Sequence, residues 1–388
     1  MFLNQIEKRN RQLVKTAFLL HQNQEILPDS YIVDVDVFLE NAELILKSAN
    51  EKNIKLYFML KQVGRNPYLA SELMKLGYSG AVTVDFREAL VMMRHKIPIG
   101  NVGHLVQVPQ AMIKEIVAYK PEVITVYSKE KIQAIEDAAK ELRIKQGIML
   151  RVYGDNDTLY SGQMAGIHLH ELKETVLWIK SNCLHVEIKG ITSFPCYLYS
   201  EKDKDILPTA NLGTVQFANE ILKTCGVTAQ IINTPASTCC RTLNQMLKYG
   251  GNCGEPGHGL SGTTIMHADF ELEERPAVVY VSEISHNFGG NAYCYGGGYY
   301  RRSHVKNVLV GISYEERRRL LVIPPTHESI DYHLGISDEC KIGDTALMAF
   351  RFQIFSTRSD VVLVKGIQHG KYEIVGIYDS HGRKKEEL

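Results

Sequence analysis

From Asp36 onward, short apolar, β-branched runs alternate with stretches in which apolar side chains recur every three or four positions. Phe38, Ala42, Ile45 and Ala49 form a helical stripe, and residues 56–60 after it read as a buried strand. A strand over 80–84 meets Asp85-Phe86-Arg87-Glu88, a start resembling a capping box for the next helix. Strands follow over 102–106 and 123–126. Ser128 then N-caps a helix with Ile132, Ile135, Ala139 and Leu142 on one face. Further strands are predicted over 148–152, 186–192, 229–232 and 252–255. Eight strands separated by helices predict an α/β fold, a TIM-like (β/α)8 barrel, whose usual size is roughly 250 residues. A doubly wound sheet is the alternative, but no G-x-G-x-x-G follows the first strand.

After about Gly262 the alternation stops. Strand-like runs over 278–282, 308–312, 320–323, 347–355, 361–364 and 373–377 lack intervening helices, and Pro324-Pro325 and several glycines punctuate them. This part reads as an all-β domain. Ile6, Leu13, Ala17 and Leu20 make residues 1–25 a leading amphipathic helix, and an early strand over 31–35 precedes the barrel. The expected division is therefore 1–36, a helix and strand joining the β-domain; 37–262, the barrel; and 263–388, the C-terminal β-domain.

Composition narrows the classes. The 388 residues are 45% hydrophobic and 23% charged, and 44 basic residues balance 44 acidic ones, so no global field points toward nucleic acid or membrane. The longest apolar stretch near the N-terminus, Ala17-Phe18-Leu19-Leu20, is too short for a signal peptide core. Eight cysteines without C-x-x-C spacing are expected to be reduced thiols in a cytoplasmic protein.

The candidate chemistry starts at Lys61, which ends the apolar run of the first barrel strand. Desolvation there would expose a nucleophilic amine able to form a Schiff base with a carbonyl compound such as pyridoxal phosphate. Barrels place catalytic groups at the C-terminal ends of their strands and often bind phosphate after strands seven and eight. The loop Asn233-Thr234-Pro235-Ala236-Ser237-Thr238 and the run from Gly254 to Gly262 occupy those places. Ser237 and Thr238 at a helix start and Gly257 in a tight turn have the chemistry of a phosphate cradle; they also serve as an N-cap and turn residues.

Lys61-Gln62-Val63-Gly64-Arg65-Asn66-Pro67, Gly103-His104-Leu105-Val106-Gln107, Glu255-Pro256-Gly257-His258, the stretch from Tyr293 to Arg302 and that from Thr357 to Val364 resemble the YhfX group of the alanine racemase-like fold, type III of the pyridoxal phosphate enzymes. The resemblance spans nearly the whole chain. It implies pyridoxal 5'-phosphate as cofactor, with Lys61 matching the lysine that holds it as an internal aldimine. Glu255 falls where the decarboxylase branch has a glutamate facing the pyridine nitrogen and alanine racemases have an arginine. A carboxylate there keeps the ring protonated and stabilises a quinonoid carbanion, which permits racemisation, elimination, aldol cleavage or decarboxylation. Tyr295 resembles the racemase tyrosine that acts as second base from the partner subunit; Cys294 is a rival for the role. Arg301 and Arg302 could clamp a substrate carboxylate. His258 is a further candidate for the phosphate, and Arg151 for the ring oxygen.

Two departures qualify the likeness. Where the related pattern has Thr-His-Phe, with a histidine stacked on the ring, this chain reads Thr192-Ser193-Phe194. The stretch Phe350-Arg351-Phe352-Gln353-Ile354-Phe355 lacks the His-x-Cys pair of metal-dependent relatives, so no catalytic metal is expected. By strand alternation, His104 and Gln107 point to opposite faces, so only one can line a site without a bulge. The expected activity is racemisation or epimerisation of an amino acid at Cα by a head-to-tail homodimer. A lyase or decarboxylase on the same scaffold, or a non-catalytic cofactor-binding protein, is the alternative.

Overall fold

The computed structural model describes residues 2–386, so the outermost limits of the expected domains, 1 and 387–388, lie outside it. The chain divides into two compact units. One comprises Leu44–Leu60 and Pro67–Gly257; the other comprises 2–43, Lys61–Asn66 and 258–386.

The first unit is a (β/α)8 barrel. Strands Lys55–Leu56, Ala81–Thr83, Ile99–Val102, Val123–Val126, Gln146–Tyr153, Val186–Thr192, Ile231–Asn233 and Cys253–Gly254 include a parallel run from the second to the eighth in sequence order. Cys253–Gly254 pairs in turn with Lys55–Leu56, and a parallel bridge from Phe58 to Ala81 completes the ring. Inside it Tyr57, Met59, Val82, Val84, Val123, Met149, Ile231 and Cys253 pack together. Each large apolar side chain so buried contributes roughly 1.5–3 kcal/mol. A cap resembling the expected box forms: the N-cap Asp85 accepts the Glu88 N–H at 2.8 Å, and the Glu88 carboxylate reaches back to the Val84 N–H, one residue before the cap, at 2.8 Å. The third strand ends earlier than its apolar pattern suggests. Gly103, at φ +89°, turns the chain where an added Cβ would meet the Thr125 carbonyl at 2.9 Å.

In the second unit, Val278–Phe288, Asn291–Tyr295, His333–Ile336, Arg318–Ile323, Asn307–Gly311 and Thr345–Met348 form a closed antiparallel ring. Ser30–Asp34 adds to Val278–Phe288 antiparallel and to Asp360–Lys365 parallel, and Glu373–Tyr378 extends the sheet. Ile32, Val279, Val281, Leu309, Leu347, Val362 and Val364 supply one side of the core. Leu13, Val14, Ala17 and Leu20 supply the other. The leading helix is two helices, Phe2–Arg9 and Arg11–Gln22, because Asn10 breaks the first and its side chain caps the second through the Leu13 N–H at 3.3 Å. The run expected as a strand over 347–355 leaves the sheet at Met348. Phe350 and Phe352 stay buried, with centroids 6.2 and 5.5 Å from the Tyr31 ring. Alternating burial there comes from aromatic packing, and the segment pairs with no neighbouring strand. Among the described residues, no helix is long and apolar enough to cross a membrane.

Candidate active site

Within the barrel, side chains from the C-terminal ends of separate strands converge on Glu255. Its Oε1 accepts Nδ2–H from Asn101 at 3.1 Å and from Asn233 at 2.7 Å. The Asn101 amide has its orientation fixed, because its oxygen accepts the Thr125 hydroxyl at 2.7 Å and so turns the NH2 toward the carboxylate. Behind it, the Glu255 N–H donates to Thr238 Oγ1 at 3.3 Å. His104 Nε2 lies 3.9 Å from Oε2, and both residues are buried. Gln107 instead donates to the Gly103 and Thr125 carbonyls. Of the two residues weighed at the third strand's end, His104 is therefore the one that faces the interior cluster.

Arg151, third from the end of the long strand Gln146–Tyr153, is 1% exposed. It donates to the His104 carbonyl (2.9 Å), the Tyr127 hydroxyl (3.0 Å) and the Gln163 carbonyl (2.9 Å), and its guanidinium lies 5.2 Å from the Tyr127 ring. All three acceptors are neutral, and no carboxylate of the described residues forms an ion pair with it. A buried cation of this kind costs several kcal/mol unless a charge answers it.

The expected phosphate loop has unusual backbone geometry. Ala236 and Ser237 are consecutive non-glycine residues at φ +116° and +52°. Such conformations are held at a cost and gather where a ligand is clamped. The loop leads into the helix Cys240–Lys248. The Ser237 hydroxyl is hydrogen-bonded to nothing among the described residues, while its carbonyl accepts the Thr242 hydroxyl. Ser193, where a stacking histidine was missing, is buried and bonded to Asp157 (3.4 Å) and to the Asn211 amide (3.1 Å). The next residue, Phe194, is aromatic. Its ring meets His104 edge-on at 5.5 Å and Tyr160 at 5.9 Å.

In the second unit, Lys61 opens a tight 3-10 turn, Lys61–Val63, with its ammonium 6.0 Å from the Phe355 ring centroid. Arg65 lies 5.2 Å from the same ring. His258 is tied down on both ring nitrogens, by Thr263 at 3.0 Å and Gln353 at 3.2 Å. Burial, with the cations Arg351 and Lys61 and then His267 around it, holds its pKa well below the usual histidine range. Both nitrogens of this phosphate candidate are thus engaged within the unit. Cys294 and Tyr295 are neighbours on one strand and so point to opposite faces. Cys294 faces inward, its thiol pushed up to about 12 by burial, whereas Tyr295 is 40% exposed. Gly296 to Gly298 follow under close constraint: an added Cβ on Gly298 would sit 2.3 Å from the Tyr280 ring. Arg301 and Arg302 lie on an exposed turn, and Arg301 donates to the His327 carbonyl at 2.6 Å.

The sequence pattern carried no sign of Asn101, Thr125 or the role of Asn233, which become neighbours of Glu255 only when the barrel closes. Glu255 itself could have suggested them, since a buried carboxylate needs donors.

Comparison with known proteins gives the class first. Residues 33–264 match the alanine racemase N-terminal domain and residues 279–374 the YhfX-like C-terminal domain. The chain belongs to the alanine racemase-like family, in its YhfX-like branch. It is 42% identical over 383 residues to the uncharacterized protein YhfX of Escherichia coli (strain K12), covering 98% of this chain and 99% of that one. Among solved structures, a D-threonine aldolase from Filomicrobium marinum shares the fold with TM-score 0.66 at 14% identity, covering 92% of this chain and 95% of that one. Alanine racemase from Clostridium difficile 630, in complex with cycloserine, gives 0.64 at 17%, covering 91% and 99%. D-threo-3-hydroxyaspartate dehydratase from Delftia sp. HT23 gives 0.66 at 11%, covering 90% and 97%.

Proposed function

We propose that this chain is a pyridoxal phosphate-dependent racemase or epimerase acting at Cα of an amino acid. The observation that carries the reading is Arg151, a fully buried guanidinium with only neutral acceptors, in the same barrel as a carboxylate held in place by two amides. An interior cation and an interior anion so arranged suit a ring with a negative oxygen on one side and a protonated nitrogen on the other. Arg151 would hold the ring oxygen, Glu255 the ring nitrogen, and Ser237, Thr238 and Gly257 the phosphate. Bound there, the cofactor supplies an electron sink that acidifies Cα–H of an attached amino acid.

Lys61 would provide the amine that attaches the cofactor and, once released, move a proton on one face of Cα. Tyr295 of the partner subunit would serve the other face, a role for which an exposed phenol is better suited than the buried thiol of Cys294. Phe194, backed by His104, would exclude water from the ring's face. Glu255 also favours a second reading, a lyase on the same scaffold, because a carboxylate at the ring nitrogen permits stronger carbanion stabilisation than racemisation requires.

Incubation of cofactor-loaded protein in D2O with L- and D-amino acids, read by chiral mass spectrometry, tests this. Deuterium at Cα in both enantiomers of one substrate is expected. Cleavage or deamination products without enantiomer exchange would favour the lyase, and no turnover of any kind would overturn both.

A further inference from the structure

On the barrel unit, away from the residues assigned above, Asp155, His168 and His170 bring their potential ligand atoms within 4.8 Å of one another. The grouping is built by the fold. The short strand Ile167–His168 pairs in parallel with Gln146–Tyr153 and sets His168 opposite Tyr153, whose ring meets the imidazole edge-on at 4.9 Å. Asp155 lies two residues beyond Tyr153. His170 lies in the first turn of the helix Leu169–Asn182. One carboxylate oxygen is 3.0 Å from His168 Nε2, the other 3.9 Å from His170 Nε2, and the two imidazole centroids are 4.7 Å apart. Ligand atoms around a tetrahedral zinc-type ion at 2.0–2.2 Å lie about 3.3–3.6 Å from each other. The observed separations bracket that value, and His170 and Asp155, 81% and 77% exposed at their side chains, have room to close it.

We propose that Asp155, His168 and His170 bind a divalent transition metal of the zinc class, with water completing the coordination. Two imidazoles and one carboxylate suit such borderline ions and are poor ligands for magnesium or calcium, which take oxygen. The ion displaces the proton that His168 Nε2 shares with Asp155. His168 Nδ1 accepts the His170 N–H at 3.3 Å, so the ring proton moves to Nδ1 and that long helix-cap bond is released. What the ion gains is closure of the segment from Asp155 to His168. That segment carries Asp157, which accepts the Thr214 hydroxyl at 2.7 Å, and Gln163, whose carbonyl accepts Arg151 at 2.9 Å. The metal thus clamps a loop that helps hold the buried guanidinium, and it acts on structure rather than on the reaction.

Tag-free full-length protein, stripped with chelator, is titrated with Zn2+ by calorimetry and with Co2+ by visible absorption. One equivalent of zinc is expected, with His170→Gln and Asp155→Asn each weakening it by about tenfold or more. The Co2+ spectrum should be that of nitrogen and oxygen ligands without thiolate, and Mg2+ should not compete. His170 is exposed, so metal-free His170→Gln is expected to keep the melting temperature of metal-free wild type, which controls for misfolding. Absence of zinc binding in the wild type, undiminished binding in both variants, or a thiolate-type cobalt spectrum would each overturn the proposal.

Discussion

The barrel interior around Glu255 and the stretch from Tyr293 to Arg302 in the β-domain hold candidate site residues in opposite ways. In the barrel, Glu255, Asn101, Asn233, His104 and Arg151 are buried, and side chains from different strands orient one another. In the β-domain, Tyr295, Arg301 and Arg302 are exposed, and the backbone beneath them is what is fixed. Ser282 donates to the Tyr295 carbonyl at 2.6 Å and Tyr31 to the Gly298 carbonyl at 2.5 Å. The barrel residues are preorganised within one chain, as electrostatic stabilisation requires. The β-domain residues are exposed on a backbone ledge, and on the proposed reading they meet a second surface. On the proposed reading that surface belongs to another copy of the chain.

The largest expected effect is at Lys61. Lys61→Ala should abolish Cα–H exchange and remove the absorption of lysine-bound cofactor, while the melting temperature stays close to wild type. Exchange at wild-type rate in this variant would remove the lysine from the reaction. The next effect bears on the two neighbours of the β-domain strand. Tyr295→Phe deletes one exposed hydroxyl and should lower kcat by about 10²–10⁴-fold, the usual worth of a positioned acid or base, with stability unchanged. Cys294→Ala removes a buried sulfur and should cost about 1 kcal/mol of stability and leave kcat within about threefold. The reverse pattern would assign the second proton to the thiol.

A third variant addresses the barrel. Arg151→Met leaves the His104 and Gln163 carbonyls and the Tyr127 hydroxyl without their donor, at about 1–3 kcal/mol each, but also relieves the cost of the buried cation, so urea unfolding should show a net loss of no more than about 3 kcal/mol. Cofactor affinity should fall more than tenfold. Stability lost with affinity unchanged would make Arg151 a purely structural residue.

How much of this was legible in the sequence follows the range of the interactions. The eight-strand rhythm, the box at Asp85 to Glu88 and the lysine after the first strand are written in neighbouring residues, and they were readable. The third strand's end was misplaced because Gly103 at positive φ cuts across an apolar run that continues past it. The strands Asn291–Tyr295 and His333–Ile336 went unseen, since their exposed faces carry Tyr and His and their apolar faces are only two or three residues long. Asn101 and Asn233 are 154 and 22 residues from Glu255, so only barrel closure makes them its donors. His258 was a further candidate for the phosphate; its engagement by Gln353, 95 residues away, could not be read locally.

The expected effect with the smallest reach is a pH dependence confined to the β-domain. Asp29 lies beneath the ledge and accepts hydrogen bonds from Ser359 and, at 2.9 Å, from Tyr280; an added Cβ on Gly297 would meet its carboxylate at 2.0 Å. Burial raises its pKa to about 7, against the pull of the two hydroxyl donors and Arg358 and with a small push from Asp331. The folded form therefore holds a proton that the unfolded chain, near 3.8, has already released. More protons bound when folded means that stability contributed here is fully present below about pH 4, declines as pH rises toward 7, and is level above that. Asp29→Asn keeps an acceptor for both hydroxyls and cannot ionise. Unfolding of the β-domain followed by amide hydrogen exchange should lose its slope between pH 4 and 7 in the variant, with a gain of about 1–3 kcal/mol at pH 8. An undiminished slope would mean that another group titrates under the ledge. Loss of kcat at pH 8 together with that gain in stability would mean that the charged form of Asp29 is kept for what it does to the Tyr295–Gly298 backbone, and that the ledge is tuned as well as rigid.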